Sequence, residues 1–234
     1  MSISAVPFDG PLPDPGQGVF ETTLVSGGRA LAVDAHLARL AASLRELYGR
    51  ELPDDARSQI EEGAAGLELG RLRLTVLPDG SASVRVADVD PAMVFPAEGV
   101  PVAPIAVPGG IGAHKWADRR LLEAAQAQLG ALPLVIDADT GEALESARGN
   151  LFVVTGGAVA TPPLDGRLLP GVTRAQAIEV VRDLGLELRE EPVDMNSADE
   201  IFFTGGVRGV EPLGQASGEL TARVSAELRV RWLG

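Results

Sequence analysis

Apolar and polar positions alternate over short spans of this chain and then switch to a spacing of three to four residues, and those switches place most of its elements. Val19, Phe20 and the β-branched run up to Val25 read as a strand, which Gly27-Gly28 ends as a hairpin turn. Leu37, Leu40, Ala41, Leu44, Leu47 and Tyr48 then recur at helical spacing up to Gly49, with Asp34 expected as the cap. A second helix is expected over residues 54–67. Residues 71–76 and 83–86 alternate on either side of Pro78-Asp79-Gly80, the signature of a hairpin.

The second half opens with a helix expected over residues 115–129, then a strand at 134–137 and a turn at Asp139-Thr140-Gly141. Strands follow at 143–145 and 150–155, and a further turn at Gly156-Gly157. Pro170-Gly171-Val172-Thr173 leads into a helix carrying Ala177, Ile178, Val180, Val181 and Leu184. Residues 201–204 read as a buried strand closed by Gly205-Gly206, and residues 221–233 as an amphipathic helix. Between the halves, Pro96, Pro101, Pro104 and Pro108 exclude a helix. That stretch reads as an interdomain linker, with an edge strand and turn as the alternative. It divides the chain into a smaller domain over residues 1–106 and a larger one over 107–234, of α/β or α+β class.

Composition narrows the functional classes. The formal charge of −13, from 33 acids against 20 bases, argues against a nucleic-acid or anionic-membrane surface. The absence of cysteine removes disulfides and thiolate chemistry. His36 and His114 lie far apart without metal-ligand spacing, so no metal site is expected. Residues 1–10 lack the basic and apolar regions of a signal peptide, and no apolar run approaches the ~18 residues of a membrane span. The expectation is a soluble cytoplasmic protein acting on a small molecule.

Chemistry concentrates in a few residues. Lys115 is the only lysine in the sequence; every other basic side chain is an arginine. A function that needs a primary amine cannot be served by arginine, whose guanidinium stays protonated and is a poor nucleophile; otherwise Lys115 is a solvated surface charge. Glu145 follows a turn and stands five residues before Asn150-Leu151-Phe152. By itself it reads as a solvated carboxylate, and Asn150 as a turn residue. Arg39 fits the polar side of an amphipathic helix. Gly171-Val172-Thr173 opens a helix whose free N–H groups favour an anion, or whose Thr173 is simply an N-cap.

Taken together these motifs resemble the class IV aminotransferases, pyridoxal-phosphate enzymes of fold type IV. The resemblance rests on Gly18-Val19-Phe20-Glu21-Thr22, His36-Leu37-Ala38-Arg39-Leu40, Lys115, the Glu145 to Asn150-Leu151-Phe152 spacing, Thr161-Pro162-Pro163-Leu164 and Leu168-Leu169-Pro170-Gly171-Val172-Thr173-Arg174. It implies a two-domain architecture like that of D-amino acid aminotransferase, pyridoxal 5'-phosphate in the cleft between the domains, and a homodimer. Lys115 is then the Schiff-base and catalytic lysine, and Glu145 the acid that keeps the pyridine nitrogen protonated. Arg39, Val172 and Thr173 hold the phosphate, with Thr204, Gly205 and Gly206; Asn150 also lies at the cofactor, its role open. Two departures stand out. Relatives place a small hydroxyl or amide residue where this chain has Gly205-Gly206, and their Asp-Arg-Gly stretch is replaced by Pro13-Asp14-Pro15-Gly16-Gln17.

Within the family, Lys115-x-x-x-Arg119 and Val207-Arg208-Gly209-Val210 look like the lyases that convert 4-amino-4-deoxychorismate to p-aminobenzoate and pyruvate for folate synthesis. Arg119 and Arg208 become candidates for the dianionic substrate; either could equally be a surface charge. The same lysine, glutamate and phosphate clamp would serve a transaminase acting on D-amino acids, branched-chain amino acids or small amines. A binder of the cofactor without turnover is the reading that the Gly205-Gly206 departure keeps open.

Overall fold

The chain divides into two compact units, and the division is not a single cut. The computed structural model describes residues 5–7, 10–214 and 218–234, so most of the opening segment read for a signal peptide lies outside the described residues. The first elements in chain order are β1 (Val6–Pro7), β2 (Val19–Ser26), β3 (Arg29–Ala30), α1 (Val33–Tyr48), α2 (Ala56–Ala64), β4 (Leu69–Val76) and β5 (Ala82–Asp88). They continue with β6 (Val102–Val107), α3 (Arg120–Leu129), β7 (Leu132–Asp137), β8 (Ala143–Ser146), β9 (Asn150–Thr155) and β10 (Ala158–Thr161). The last are α4 (Val172–Asp183), β11 (Leu188–Glu190), β12 (Glu200–Gly205), β13 (Gly209–Pro212) and α5 (Glu219–Leu233).

The smaller unit is Pro11–Val94 with His114–Arg119. Its antiparallel sheet runs β3-β2-β4-β5. Gly27 and Gly28, both at positive φ, turn β2 into β3. Val19 and Val25 of β2 and Leu72, Leu74 and Val76 of β4 pack with Leu37, Leu40 and Leu44 of α1 and Ile60 of α2. Helix α1 ends at Gly49 as expected, but its N-cap is Ala32 in the left-handed region rather than Asp34. Asp34 instead sits in the first turn and pairs with Arg57, where a carboxylate complements the helix dipole. Helix α2 is shorter than the expected 54–67: it ends at Ala64, with Gly66 just beyond its C-cap Ala65, although Leu67 still packs on the core.

The same period-two alternation that buries Val19 and Val25 carries Glu21 inward. Arg39 donates from Nε to Glu21 Oε1 at 2.8 Å and from Nη2 to Oε2 at 2.6 Å, and His36 Nδ1 lies 2.6 Å from Oε2. Burial by itself would raise the Glu21 pKa. The Arg39 charge and the hydrogen bonds from His36 and Arg39 outweigh it and hold the carboxyl at about 2.

The larger unit takes in the described residues of Met1–Gly10 with Phe95–Ala113 and Arg120–Gly234. Its mixed sheet runs β1-β6-β7-β8-β9-β10-β11, with β12 paired to β9 and β13 to β12. The proline stretch read as a linker therefore contains a strand within a sheet: β6 pairs in parallel with both β1 and β7. Among the described residues the pairing with β1 engages Ile105 and Ala106, next to Pro104. A domain boundary at residue 106 would cut this strand. The helix expected from Lys115 starts only at Arg120, because residues 115–117 are extended and hydrogen-bonded to β2 and its approach. Strands β10, β11 and β13 are too short to stand out in the sequence, and the sheet supplies their partners.

Asp137, at the end of β7, is nearly fully buried. It accepts from Arg167 Nη1 at 2.8 Å, and from the N–H groups of Gly109 and Asp139 and the Thr140 hydroxyl. The Arg167 hydrogen bond, against the cost of burial, holds the Asp137 carboxyl at about 2.

Both carboxylates ionise more readily folded than unfolded, so their stabilisation is complete above the ordinary carboxylate range and is lost as pH falls through about 2. We expect urea-unfolding stability to fall steadily between pH ~5 and ~2. Glu21→Gln should lower stability at neutral pH by about 3 kcal/mol and flatten part of that acid slope, leaving the part due to Asp137. An unchanged slope in the variant would contradict this account of Glu21.

Candidate active site

In the larger unit the site is a single rung of the sheet. Asn150, the first residue of β9, pairs with Glu145 of β8 on one side and with Thr204 of β12 on the other. Residues paired across a sheet present their side chains to the same face, so a carboxylate, an amide and a hydroxyl stand in a row. All three are buried. The Asn150 amide nitrogen donates to Glu145 Oε2 at 3.3 Å and to the Leu169 carbonyl at 2.8 Å, and Leu169 N–H donates to Glu145 Oε1 at 3.2 Å. Asn150 is thus a bridge from the rung to the Leu168–Gly171 loop. Glu145 is no solvated carboxylate: it is held as an acceptor at both oxygens.

That loop delivers the start of α4. Gly171 is the N-cap, in extended backbone and with no side-chain cap, so Thr173 is not the N-cap that the sequence also allowed. A side chain on Gly171 would collide with Asn150 Oδ1. The first-turn N–H groups of Val172 and Thr173 have no acceptor within the helix. Arg174 lies next to them but is spoken for, donating to the Pro162 carbonyl and to Glu190, each at 2.9 Å.

Thr204 Oγ1 is buried without a hydrogen-bond partner. In native proteins such an orphan is uncommon and asks for an explanation. Gly205 ends β12, and a Cβ there would come within 2.8 Å of the Arg148 carbonyl; a Cβ on Gly149 would meet the Thr204 backbone. Gly206 begins the turn into β13. Gly205 and Gly149 are where β12 and the β8–β9 turn close on each other, a packing reason for the first glycine of the departure noted in the sequence.

In the smaller unit, Lys115 is gripped by its backbone. Phe20 N–H donates to the Lys115 carbonyl at 2.9 Å, Ala117 N–H donates to the Gly18 carbonyl at 3.0 Å, and Trp116 bridges Val19. Lys115 Nζ lies 4.9 Å from the centroid of the Phe20 ring, which also carries the Arg73 guanidinium at 4.2 Å. The preceding His114 is tied to α1, with Nδ1 3.1 Å from Ser43 Oγ. Lys115 is half-buried and held at the edge of a sheet, not carried on a helix.

The two arginines proposed for substrate fall in different units. Arg119 closes the segment that belongs with the smaller unit, whereas Arg208 lies in the larger unit with its Nη2 2.8 Å from Glu211 Oε1. Glu21, Arg73, Arg148 and Glu211 were not singled out from the sequence. Glu21 could have been, since alternation along β2 puts it on the buried side; the others depend on pairings across strands.

Each unit holds groups of the kind that suit pyridoxal phosphate, Lys115 in the smaller and the rest in the larger. Glu145 offers a fixed carboxylate, the α4 N-terminus offers anion donors, Thr204 offers an orphaned hydroxyl, and Lys115 offers the primary amine. Among the described residues no cluster of histidine, cysteine, aspartate or glutamate could hold a metal ion, and no helix is long and apolar enough to cross a membrane.

The chain is similar to a hypothetical aminotransferase from Mycobacterium tuberculosis in its PLP-bound form, at 26% identity over 92% of this chain and 90% of that one, with a TM-score of 0.79. It is similar to the 4-amino-4-deoxychorismate lyase of Pseudomonas aeruginosa, at 26% identity over 92% and 91% of the two chains, with a TM-score of 0.72. Branched-chain-amino-acid aminotransferase 1 of Arabidopsis thaliana is 39% identical over 85 residues, which are 35% of this chain and 22% of the relative. The Escherichia coli branched-chain-amino-acid aminotransferase is 38% identical over 77 residues, 32% of this chain and 25% of that protein. The chain thus spans about a quarter of the length of these last two relatives. A sequence profile described as amino-transferase class IV matches residues 18–215, and on that match the chain belongs to the class IV aminotransferases, with pyridoxal phosphate as its cofactor.

Proposed function

We propose that this protein is a 4-amino-4-deoxychorismate lyase, releasing p-aminobenzoate and pyruvate. The observation that carries the reaction is the likeness to the Pseudomonas aeruginosa lyase over nine-tenths of both chains, joined to the lyase-like sequence motifs around Arg119 and Arg208. The pyridoxal phosphate supplies a conjugated ring that accepts the electron pair left when the substrate's amine-bearing carbon loses its proton.

The chain's own residues divide the remaining work. Lys115 Nζ is the amine that would hold the cofactor, and as a free amine it would take the C4 proton of the substrate as general base. Loss of that proton and of the enolpyruvyl oxygen aromatises the substrate ring, and Lys115 is the group that returns a proton to the departing methylene to give pyruvate. Glu145, fixed by Asn150 and by Leu169 N–H, holds a proton at the cofactor's ring nitrogen. The first-turn N–H groups of Val172 and Thr173, the Thr204 hydroxyl, the backbone of Gly205 and Gly206, and Arg39 bind the phosphate, Glu21 and His36 setting the direction of the Arg39 guanidinium. The proposal carries with it a homodimer with active sites near the subunit interface and a cytoplasmic location.

The second reading is a transaminase acting on branched-chain amino acids, favoured by the 38–39% identity to such enzymes over the matched segments. The two differ in the fate of the cofactor: a transaminase leaves it in the amine form after one amino acid, and a lyase does not.

The deciding assay supplies chorismate, glutamine and an aminodeoxychorismate synthase and reads p-aminobenzoate by fluorescence. Product should depend on this protein and vanish with Lys115→Ala, which should also abolish the visible absorbance given by attachment of the cofactor. No product, with amino acids bleaching that absorbance, would replace the lyase by the transaminase; neither product nor absorbance would leave only a non-catalytic homologue. Glu145→Gln should keep the cofactor bound but lower kcat by about 100-fold. Thr204→Val tests the phosphate assignment in a different way. Removing an unsatisfied buried hydroxyl should leave the cofactor-free protein as stable or more so, while weakening cofactor affinity by about tenfold. Equal cofactor affinity in the variant would remove Thr204 from the phosphate site.

A further inference from the structure

Two turns at the end of the Glu145–Asn150–Thr204 rung each carry an arginine. Arg148 lies in the β8–β9 turn, between Glu145 and Asn150, and Arg208 in the β12–β13 turn. The turns are in contact, since the Arg148 carbonyl is the group that a Cβ on Gly205 would strike. Both guanidiniums face one carboxylate, Glu211 of β13: Arg208 Nη2 lies 2.8 Å and Arg148 Nη2 3.5 Å from Oε1. The Glu211 side chain is 5% exposed, that of Arg208 14% and that of Arg148 37%, so the cluster is buried at its base and open at Arg148.

Two positive charges thus meet one negative charge. The hydrogen bonding is unfinished too, for Arg208 Nε and Glu211 Oε1 are both buried without a hydrogen bond. The 2.8 Å approach is therefore an ion pair off the hydrogen-bond axis, not the two-pronged fork that arginine makes with a carboxylate in a closed pair. Burial lowers the Arg148 pKa, Arg208 pushes it the same way, and Glu211 pulls it back. Arg167 shows the opposite case in the same unit: it faces Asp137, Glu142 and Asp165 at 2.8, 2.6 and 2.6 Å and has no charge left to offer. An excess buried cation with open donors is costly unless an anion completes it.

We propose that Arg148 and Arg208, held on Glu211, bind a carboxylate of the substrate, so that this corner selects amines that carry more than one carboxylate. The inference rests on the cofactor reading above. A cofactor phosphate is the other anion that two arginines could take, and the test separates the two.

The holoenzyme is titrated calorimetrically with isophthalate and with benzoate, and cofactor affinity is measured separately by absorbance. The wild type should bind isophthalate at least about tenfold tighter than benzoate, a margin that a charge-assisted arginine–carboxylate contact supplies. Arg208→Gln and Arg148→Gln should each shrink that margin to about threefold or less, with cofactor affinity held within about twofold. Glu211→Gln removes the competing carboxylate and should tighten isophthalate, a gain that a misfolded variant cannot imitate. Arg148 lies on an open turn, so its variant keeps the test valid if Arg208→Gln does not fold. The proposal is overturned if the wild type shows no preference, if the preference survives in both arginine variants, or if cofactor affinity falls while the preference stays. A wild type that binds no cofactor at all would be seen before any carboxylate is added, and would overturn the cofactor reading along with this one.

Discussion

The Asn150 side chain is the joint on which the site of the larger unit depends. A buried amide must find partners or cost the fold its desolvation energy, on the order of 1–3 kcal/mol. Asn150 meets that demand with the Glu145 carboxylate and the Leu169 carbonyl. Because it also stands between Glu145 and Thr204 in the sheet, one residue fixes the direction of the acid, the level of the hydroxyl and the position of the loop that starts α4. Gly171 is forced by the same constraint, since a side chain there would displace the Asn150 oxygen. Carboxylate, hydroxyl and helix N-terminus are consequences of one register, not separate inventions.

The smaller unit solves a matching problem with charge. Glu21 is carried inward by the alternation of β2, and Arg39 and His36 on α1 meet it there. The pairing locks α1 against the sheet that also holds the Lys115 carbonyl through Phe20 N–H and the Ala117 N–H through the Gly18 carbonyl. Lysine flexibility is thereby confined to its side chain, the part that chemistry requires to move.

Much of this was legible in the sequence, for reasons that can be named. The lone lysine stood out because arginine cannot replace an amine, and Glu145 to Asn150 stood out because the family spacing is kept. The hairpins around Gly27-Gly28 and Pro78-Asp79-Gly80 and the end of α1 at Gly49 were read from turn chemistry and hold. What failed was context. The prolines of residues 95–110 exclude a helix but cannot say whether the strand they leave lies at an edge or inside a sheet; β1 and β7 decide that. Asp34 has the right residue type for a cap, yet the left-handed Ala32 starts the helix two residues earlier. Lys115 lies before an apolar-periodic segment and reads as part of its helix, but the hydrogen bonds of Lys115 with Phe20 and of Ala117 with Gly18 hold this stretch against β2 instead. Of the Arg148–Arg208–Glu211 corner only Arg208 was legible: Glu211 stands three residues beyond it, but Arg148 reaches them only through the pairing of β9 with β12 and of β12 with β13.

The central claim is that Lys115 is the point of attachment for pyridoxal phosphate, and the single lysine makes it unusually testable. Holoprotein is reduced with borohydride, digested, and the pyridoxyl adduct located by mass spectrometry. The account predicts one adduct, on the peptide containing Lys115. No adduct, or one confined to the N-terminal amine, would contradict it.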